Sequence, residues 1–164
     1  MSNETSLLLD SLTAPSPLCE PAEGGAVRCL ACAHRCRIQA GRRGVCKVRR
    51  NVDGVLLAPR GYVSSLNPDP IEKKPFFHVL PGARALTFGM LGCNLRCDFC
   101  QNWEISQALK DPSALGEARP ISPNALVDAA VRLGCRAVIS SYNEPLITAE
   151  WAAEVFGVAR PRGL

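Results

Sequence analysis

A chain of 164 residues is long enough to bury one hydrophobic core, so one domain with an appendage is expected. Hydrophobic content of 47% and charged content of 21% are ordinary for a soluble globular protein. No stretch approaches the roughly 20 apolar residues of a membrane span. The net charge of +4 decides little by itself, whereas nine cysteines is a high count. The start, MSNETSLLLDSLTAPSP, has no basic leader, and its apolar run Leu7–Leu9 is too short for an export signal. The sequence therefore predicts a cytoplasmic protein with reduced thiols, whose clustered cysteines are metal ligands rather than bridges.

In chain order, residues 1–26 are rich in Ser, Pro, Gly and Ala without sustained periodicity, which predicts a flexible lead-in. Cys19 stands alone there as an incidental thiol. Residues 27–50 hold Cys29, Cys32, Cys36 and Cys46 among glycines and arginines, in a segment too short for its own core. Such segments use metal binding as folding energy. From Arg28 to Arg50 there are eight basic residues (Arg28, Arg35, Arg37, Arg42, Arg43, Lys47, Arg49, Arg50) and no Asp or Glu. That excess reads as a solvated face or as a surface that steers an anionic partner.

Residues 51–83 read as a strand and a proline-rich connector. Asn51-Val-Asp-Gly54 is a turn entering a strand at Val55, and residues 67–82 carry four prolines that enforce extended or looped backbone. From Arg84 the texture becomes alternating strand and helix. Ala85–Met90 reads as a buried strand, followed by a long loop to about Arg119. Ser122-Pro123 starts a helix whose apolar face is Leu126, Ala129, Ala130 and Leu133, and Gly134 ends it. Arg136–Ser141 is the next strand, with Cys135 a small buried apolar residue at its start. Thr148 then caps a helix burying Ala152, Val155, Phe156 and Ala159. Two consecutive βα units imply parallel strands, an α/β fold.

The loop after the first of these strands contains Gly92-Cys-Asn-Leu-Arg-Cys-Asp-Phe-Cys100, a CxxxCxxC spacing. An iron–sulfur cluster held wholly by protein takes four thiolates. Three leave one iron open to chelate a small molecule through an amine and a carboxylate. The alternative is a zinc site of these three thiols with His78 as fourth ligand. Tyr142-Asn-Glu-Pro145 stands at the end of the next strand, on the same face as the cysteine loop.

With Phe99 at the aromatic position, this motif resembles the CxxxCxΦC signature of the radical S-adenosylmethionine superfamily. The resemblance implies that Cys93, Cys97 and Cys100 hold a 4Fe-4S cluster. It also implies that S-adenosyl-L-methionine binds the open iron and is cleaved to a 5′-deoxyadenosyl radical. YNEP resembles the superfamily's Gly-Gly-Glu type motif, which implies that Glu144, with backbone groups of Tyr142 and Asn143, receives the methionine ammonium. Asp69-Pro-Ile-Glu-Lys-Lys-Pro75, Gly92-Cys-Asn and Cys100-Gln-Asn-Trp-Glu-Ile-Ser106 are similar to the radical enzyme of the AmmeMemoRadiSam system, a relative of pyruvate formate-lyase activating enzyme. That resemblance covers about residues 27–160. It implies an oxidoreductase that takes electrons from a reductant protein such as flavodoxin or ferredoxin and acts on a protein or small molecule. Similar N-terminal cysteines occur in those relatives, so Cys29, Cys32, Cys36 and Cys46 are expected to hold zinc or an auxiliary cluster, with His34 a bystander.

The fold expected is the start of a partial (β/α) barrel over residues 84–164, preceded by the Cys-rich segment. A full barrel needs roughly 250 residues. The sequence therefore predicts the N-terminal portion of a longer enzyme, or a truncated product, with two exposed strand edges. The second functional reading is a non-catalytic metal-binding module that grips nucleic acid through the basic four-cysteine segment. That segment lacks the aromatics that stack single-stranded bases.

Overall fold

The computed structural model describes residues 3–164. Its elements are α1 (Asn3–Ser11), β1 (Thr13–Pro15), β2 (Cys19–Ala22), β3 (Ala26–Cys29), β4 (Arg37–Ile38), β5 (Arg50–Val52), β6 (Val55–Pro59), β7 (Tyr62–Val63) and β8 (Ser65–Pro70). They continue as β9 (Arg84–Gly89), α2 (Trp103–Ser106), β10 (Arg119–Pro120), α3 (Pro123–Arg132), β11 (Ala137–Ser140) and α4 (Ala149–Ala159).

The sheet that positions the site has the order β11-β9-β8. β9 and β11 run parallel, with Ala85 opposite Ala137 and Phe88 opposite Ser140, so both strands end on the same side. α3 is the crossover between them. β8 pairs antiparallel on the other edge of β9, from Ser65 opposite Gly89 to Pro70 opposite Arg84. Pro68 and Pro70 are tolerated because β8 is an edge strand and needs no second ladder. β8 also covers the edge of β9 that the sequence reading left exposed. The architecture is mixed α/β with one parallel strand pair among the described residues, the coarse form of the barrel start expected.

Leu86 and Phe88 point from β9 into the main core with Leu126, Val127 and Ala130 of α3 and Trp151, Ala152, Val155 and Ala159 of α4. The Phe88 and Trp151 rings meet edge to face, with centroids 5.2 Å apart and an interplanar angle of 84°. Cys135 is buried in the same core, as expected. The N-terminus of α3 forms as its sequence directs: Ser122 Oγ accepts from Ala125 N, with Pro123 in the first turn.

Two helix faces differ from the sequence reading. In α3, Val127 is buried and Leu133, expected in the core, is 40% exposed at the helix end. In α4, Trp151 is fully buried and Phe156 is 37% exposed. Thr148 precedes α4 but makes no capping bond, because its hydroxyl donates to the Pro145 carbonyl.

The N-terminal half departs further. Where residues 1–26 read as a flexible lead-in, residues 3–22 form α1, β1 and β2; Met1 and Ser2 lie outside the described residues. Leu9 is buried in the main core, β1 pairs with β6, and β2 pairs with β3 in the register Cys19 opposite Cys29. Distant partners supply the order that local periodicity does not signal. Nor is segment 27–50 free-standing. Its core of Val27, Cys29, Ala31 and Ile38 is completed by Leu56 of β6, and Asn51 Nδ2 donates to the Ile38 carbonyl at 2.9 Å. Asp53 and Gly54 both have positive φ and close the β5–β6 hairpin, the turn expected at Asn51–Gly54.

Candidate metal and cofactor site

Cys93, Cys97 and Cys100 lie on the loop that leaves β9 at its C-terminal end. Cys93 is buried, Cys100 half-buried and Cys97 exposed. The loop is held at several points. Gly92 N donates to the Ile105 carbonyl at 2.9 Å, and the Leu95 carbonyl accepts from Gln107 Nε2 and Lys110 Nζ, each at 3.1 Å. Leu95 N donates to Cys93 Sγ at 3.5 Å, and Cys100 Sγ lies 3.5 Å from Ser106 Oγ. Phe99 is 91% exposed, so little of the described chain packs against it.

The turn after β11 reaches this loop through Asn143, whose Nδ2 donates to the Gly92 carbonyl at 2.8 Å. That side-chain bond is the direct link between the cysteine loop and YNEP, and the sequence reading assigned Asn143 only a backbone role. Glu144 accepts from Leu146 N at 3.2 Å and so caps the 3₁₀ turn Pro145–Thr148. The resemblance implies that this same carboxylate receives the methionine ammonium.

Tyr142 has φ +75, a left-handed conformation that is strained for a bulky residue and recurs at functional sites. Its ring crosses the sheet above Gly89, where an added Cβ would stand 2.9 Å from Tyr142 Cβ. Its hydroxyl donates to Asp69 Oδ2 at 2.9 Å and accepts from Asn67 Nδ2 at 3.2 Å. Lys74 Nζ lies 2.9 Å from Asp69 Oδ2 and 4.6 Å from the centre of the Tyr142 ring. Burial pushes the Asp69 carboxyl up, but the bonds from Lys74 and Tyr142 outweigh it and hold the group below the usual carboxylate range. Burial raises the Tyr142 phenol, and the Asp69 charge adds to the rise. The Asp69–Pro75 motif, a proline-stiffened loop in the sequence, thus contacts the YNEP turn through Asp69 and Lys74.

Cys29, Cys32, Cys36 and Cys46 all line one small pocket with His34, Arg49 and Asn94. Burial pushes the Cys29 and Cys46 thiols up. This pocket adjoins the first loop: a Cβ on Gly92, where φ is +85, would stand 2.7 Å from both the Cys46 carbonyl and Val48 Cγ1. Arg49 is 1% exposed; it donates to the Ile147 carbonyl at 2.9 Å, to Ser16 Oγ at 3.1 Å, and to the Glu150 carboxylate. Arg43 and Arg50 both pair with Asp10. Three of the eight basic side chains therefore serve the fold, which weakens the reading of this stretch as a nucleic-acid surface.

Among the described residues, no three His, Cys, Asp or Glu side chains stand in a ready metal-binding arrangement, so neither these cysteines nor His78 form a preassembled cage. The donor chemistry nonetheless fits a cluster at the first loop. Three thiols share one irregular segment, and the Leu95 amide aims at a sulfur as amides do around iron–sulfur centres.

No helix of the described residues is long and apolar enough to cross a membrane. No solved structure matches the chain significantly. The chain is 39% identical over 146 residues to the uncharacterized protein MJ0808 of Methanocaldococcus jannaschii, covering 88% of this chain and 43% of that protein. It is 28% identical over 96 residues to the uncharacterized protein MJ0674 of the same organism, covering 58% and 24%. The chain thus spans less than half the length of these curated relatives. Residues 88–162, from the last two residues of β9 through the cysteine loop, β11 and α4, match the Radical SAM superfamily.

Proposed function

We propose that Cys93, Cys97 and Cys100 hold a 4Fe-4S cluster whose open iron binds S-adenosylmethionine, in an enzyme similar to the glycyl-radical-enzyme activating enzymes. The observation that carries this reading is the junction at Gly92, where the CxxxCxΦC loop and the YNEP turn are joined by Asn143 at the shared C-terminal end of two parallel strands. When bound, the reduced cluster would supply one electron to the sulfonium of S-adenosylmethionine, whose S–C5′ bond would break to give methionine and a 5′-deoxyadenosyl radical. This chain's residues hold and shield. Cys93 anchors the loop from its buried end, Gln107 and Lys110 fix the Leu95 carbonyl, and Asn143 fixes the Gly92 carbonyl. Backbone groups of Tyr142 and Asn143 would hold the methionine end, and Glu144 would exchange its bond from Leu146 N for the ammonium. The electron donor is a flavodoxin- or ferredoxin-like protein.

Cys29, Cys32, Cys36 and Cys46 form a second site, and we infer zinc there rather than an auxiliary cluster. The four thiols line one small pocket and match the closed four-thiolate set of a structural zinc site. Its ion would tie the N-terminal strands to the first loop.

Anaerobic reconstitution tests the main assignment. About four irons and four sulfides should load at the first loop. The low-temperature electron paramagnetic resonance signal of the reduced protein should change on adding S-adenosylmethionine. Replacing Cys93, Cys97 and Cys100 by Ala should abolish both signal and loading; a triple variant that keeps them would sink the assignment.

A further inference from the structure

Beside the cysteine loop lies a cleft of ≈ 930 Å³, within the range of small-molecule sites. Its lining includes Asn67, Asp69, Lys73 and Lys74 together with Gln101 and Asn102, directly after Cys100. Ser140, Ser141 and Tyr142, at the C-terminal end of β11, line it too. It thus stands on the side of the sheet where the cysteine loop and the YNEP turn meet.

The charges in this cleft do not cancel. Its lining holds Asp69, Lys73 and Lys74 and no other ionisable group except the Tyr142 phenol. Asp69 is fully engaged: Oδ2 takes Lys74 at 2.9 Å and the Tyr142 hydroxyl at 2.9 Å. Lys74 is only 10% exposed and lies over the Tyr142 ring, so the Asp69–Lys74 pair is a fixed, neutral floor. Lys73 differs. Its ammonium is 3.5 Å from Asp69 Oδ1 and its side chain is 67% exposed, so it can turn toward a guest. One positive charge is left over, surrounded by neutral hydrogen-bonding groups on Asn67, Gln101, Asn102, Ser140 and Ser141.

We propose that this cleft is the substrate pocket and that it takes a small molecule bearing a carboxylate or phosphate, with Lys73 as its charge partner and the Asp69–Lys74–Tyr142 group as its rigid floor. The proposal deepens the functional reading above and rests on it for the cleft's catalytic use. In that reading the amine and carboxylate of S-adenosylmethionine are both taken by the open iron, so the spare cation is left for the second ligand. An anionic group held by Lys73 would orient the rest of the molecule toward the cluster loop.

The test is a calorimetric titration of the full chain with malonate, inorganic phosphate and the uncharged malonamide. Malonate or phosphate should bind and malonamide should not; which anion binds better tells carboxylate from phosphate. Lys73→Gln should weaken that binding roughly five- to tenfold. Arg132→Gln, which removes the same charge from the exposed end of α3, should leave it unchanged. Equal binding of malonamide, an unchanged Lys73→Gln variant, or an equal loss in Arg132→Gln would overturn the proposal. So would displacement of malonate by S-adenosylmethionine in the iron-loaded chain, since the cleft would then belong to the cofactor. Iron content of the same preparations is read separately. A chain that loads iron but ignores anions refutes only the pocket, whereas one that loads no iron refutes the radical reading.

Discussion

Replacing Gly92 by Ala probes the contact on which the whole site depends. Gly92 has φ +85, and an added Cβ would meet the Cys46 carbonyl and Val48 Cγ1 at 2.7 Å each. Two costs combine. Forcing an L-residue into this backbone region costs about 1–2 kcal/mol. The overlap with a backbone carbonyl, which cannot rotate aside, adds about 1–3 kcal/mol, as overpacking does elsewhere. Gly54 separates the two: its φ is +88, yet a Cβ there meets nothing within 4 Å. Gly54→Ala should therefore show only the backbone cost. Urea unfolding in the presence of reductant, followed by circular dichroism, gives the difference directly. Gly92→Ala should be destabilised by about 2–5 kcal/mol, and by at least about 1 kcal/mol more than Gly54→Ala. Equal losses in the two variants would show that the turn carrying Cys46 and Val48 does not press on the cysteine loop, and that the two are not one joined site.

Arg49→Ala should destabilise by about 3–5 kcal/mol in the same assay, because it strands a largely buried Glu150; joint replacement of Arg49 and Glu150 by Met should recover much of the loss. Burial raises the Glu150 carboxyl, but Arg49 and Ser16 outweigh it and hold the group below the usual glutamate range. The stability it contributes is therefore present above the unfolded glutamate value and lost as pH falls through the folded one, and Glu150→Gln should flatten that acid limb of the stability profile. Replacing Cys29 and Cys46 by Ala should release about one equivalent of zinc while iron still loads at the first loop; elemental analysis showing no zinc lost would rule out the second site.

The parts of the fold legible in the sequence were those set by local chemistry. Ser122-Pro123 specifies the start of α3 without reference to any partner, and Asp53-Gly54 specifies its hairpin turn in the same way. α4 shows where such reasoning stops. The sequence AEWAAEVFGVA has so few polar positions that periodicity cannot phase its buried face; in the fold Trp151 is buried against Phe88, while Phe156 meets the same ring from the edge of the core. β1 and β2 were invisible because Thr-Ala-Pro and Cys-Glu-Pro-Ala carry no strand pattern of their own; they are strands because β6 and β3 lie beside them. The three thiols of the first loop were legible because their spacing is itself the signal. The bond between Tyr142 and Asp69 was not, since it joins residues 73 positions apart and neither residue type announces the other.

The N-terminal residues and the superfamily-like segment work as one unit. Segment 27–50 supplies the Cys46 carbonyl and Val48 against which Gly92 is fitted. Arg49 crosses from the same segment to the carbonyls of Leu146 and Ile147 and to Glu150, directly after the YNEP turn. The first four-cysteine group therefore grips both arms of the candidate cofactor site, the loop after β9 through Gly92 and the turn after β11 through Arg49. Asn143, which ties those arms to each other, closes the triangle. A metal bound at Cys29, Cys32, Cys36 and Cys46 would stiffen the segment that carries Val48 and Arg49, and so set the distance between cysteine loop and YNEP turn without touching either ligand. On the proposed reading, that division of labour would give the N-terminal cysteines a role in cofactor geometry that requires no electron to pass through them.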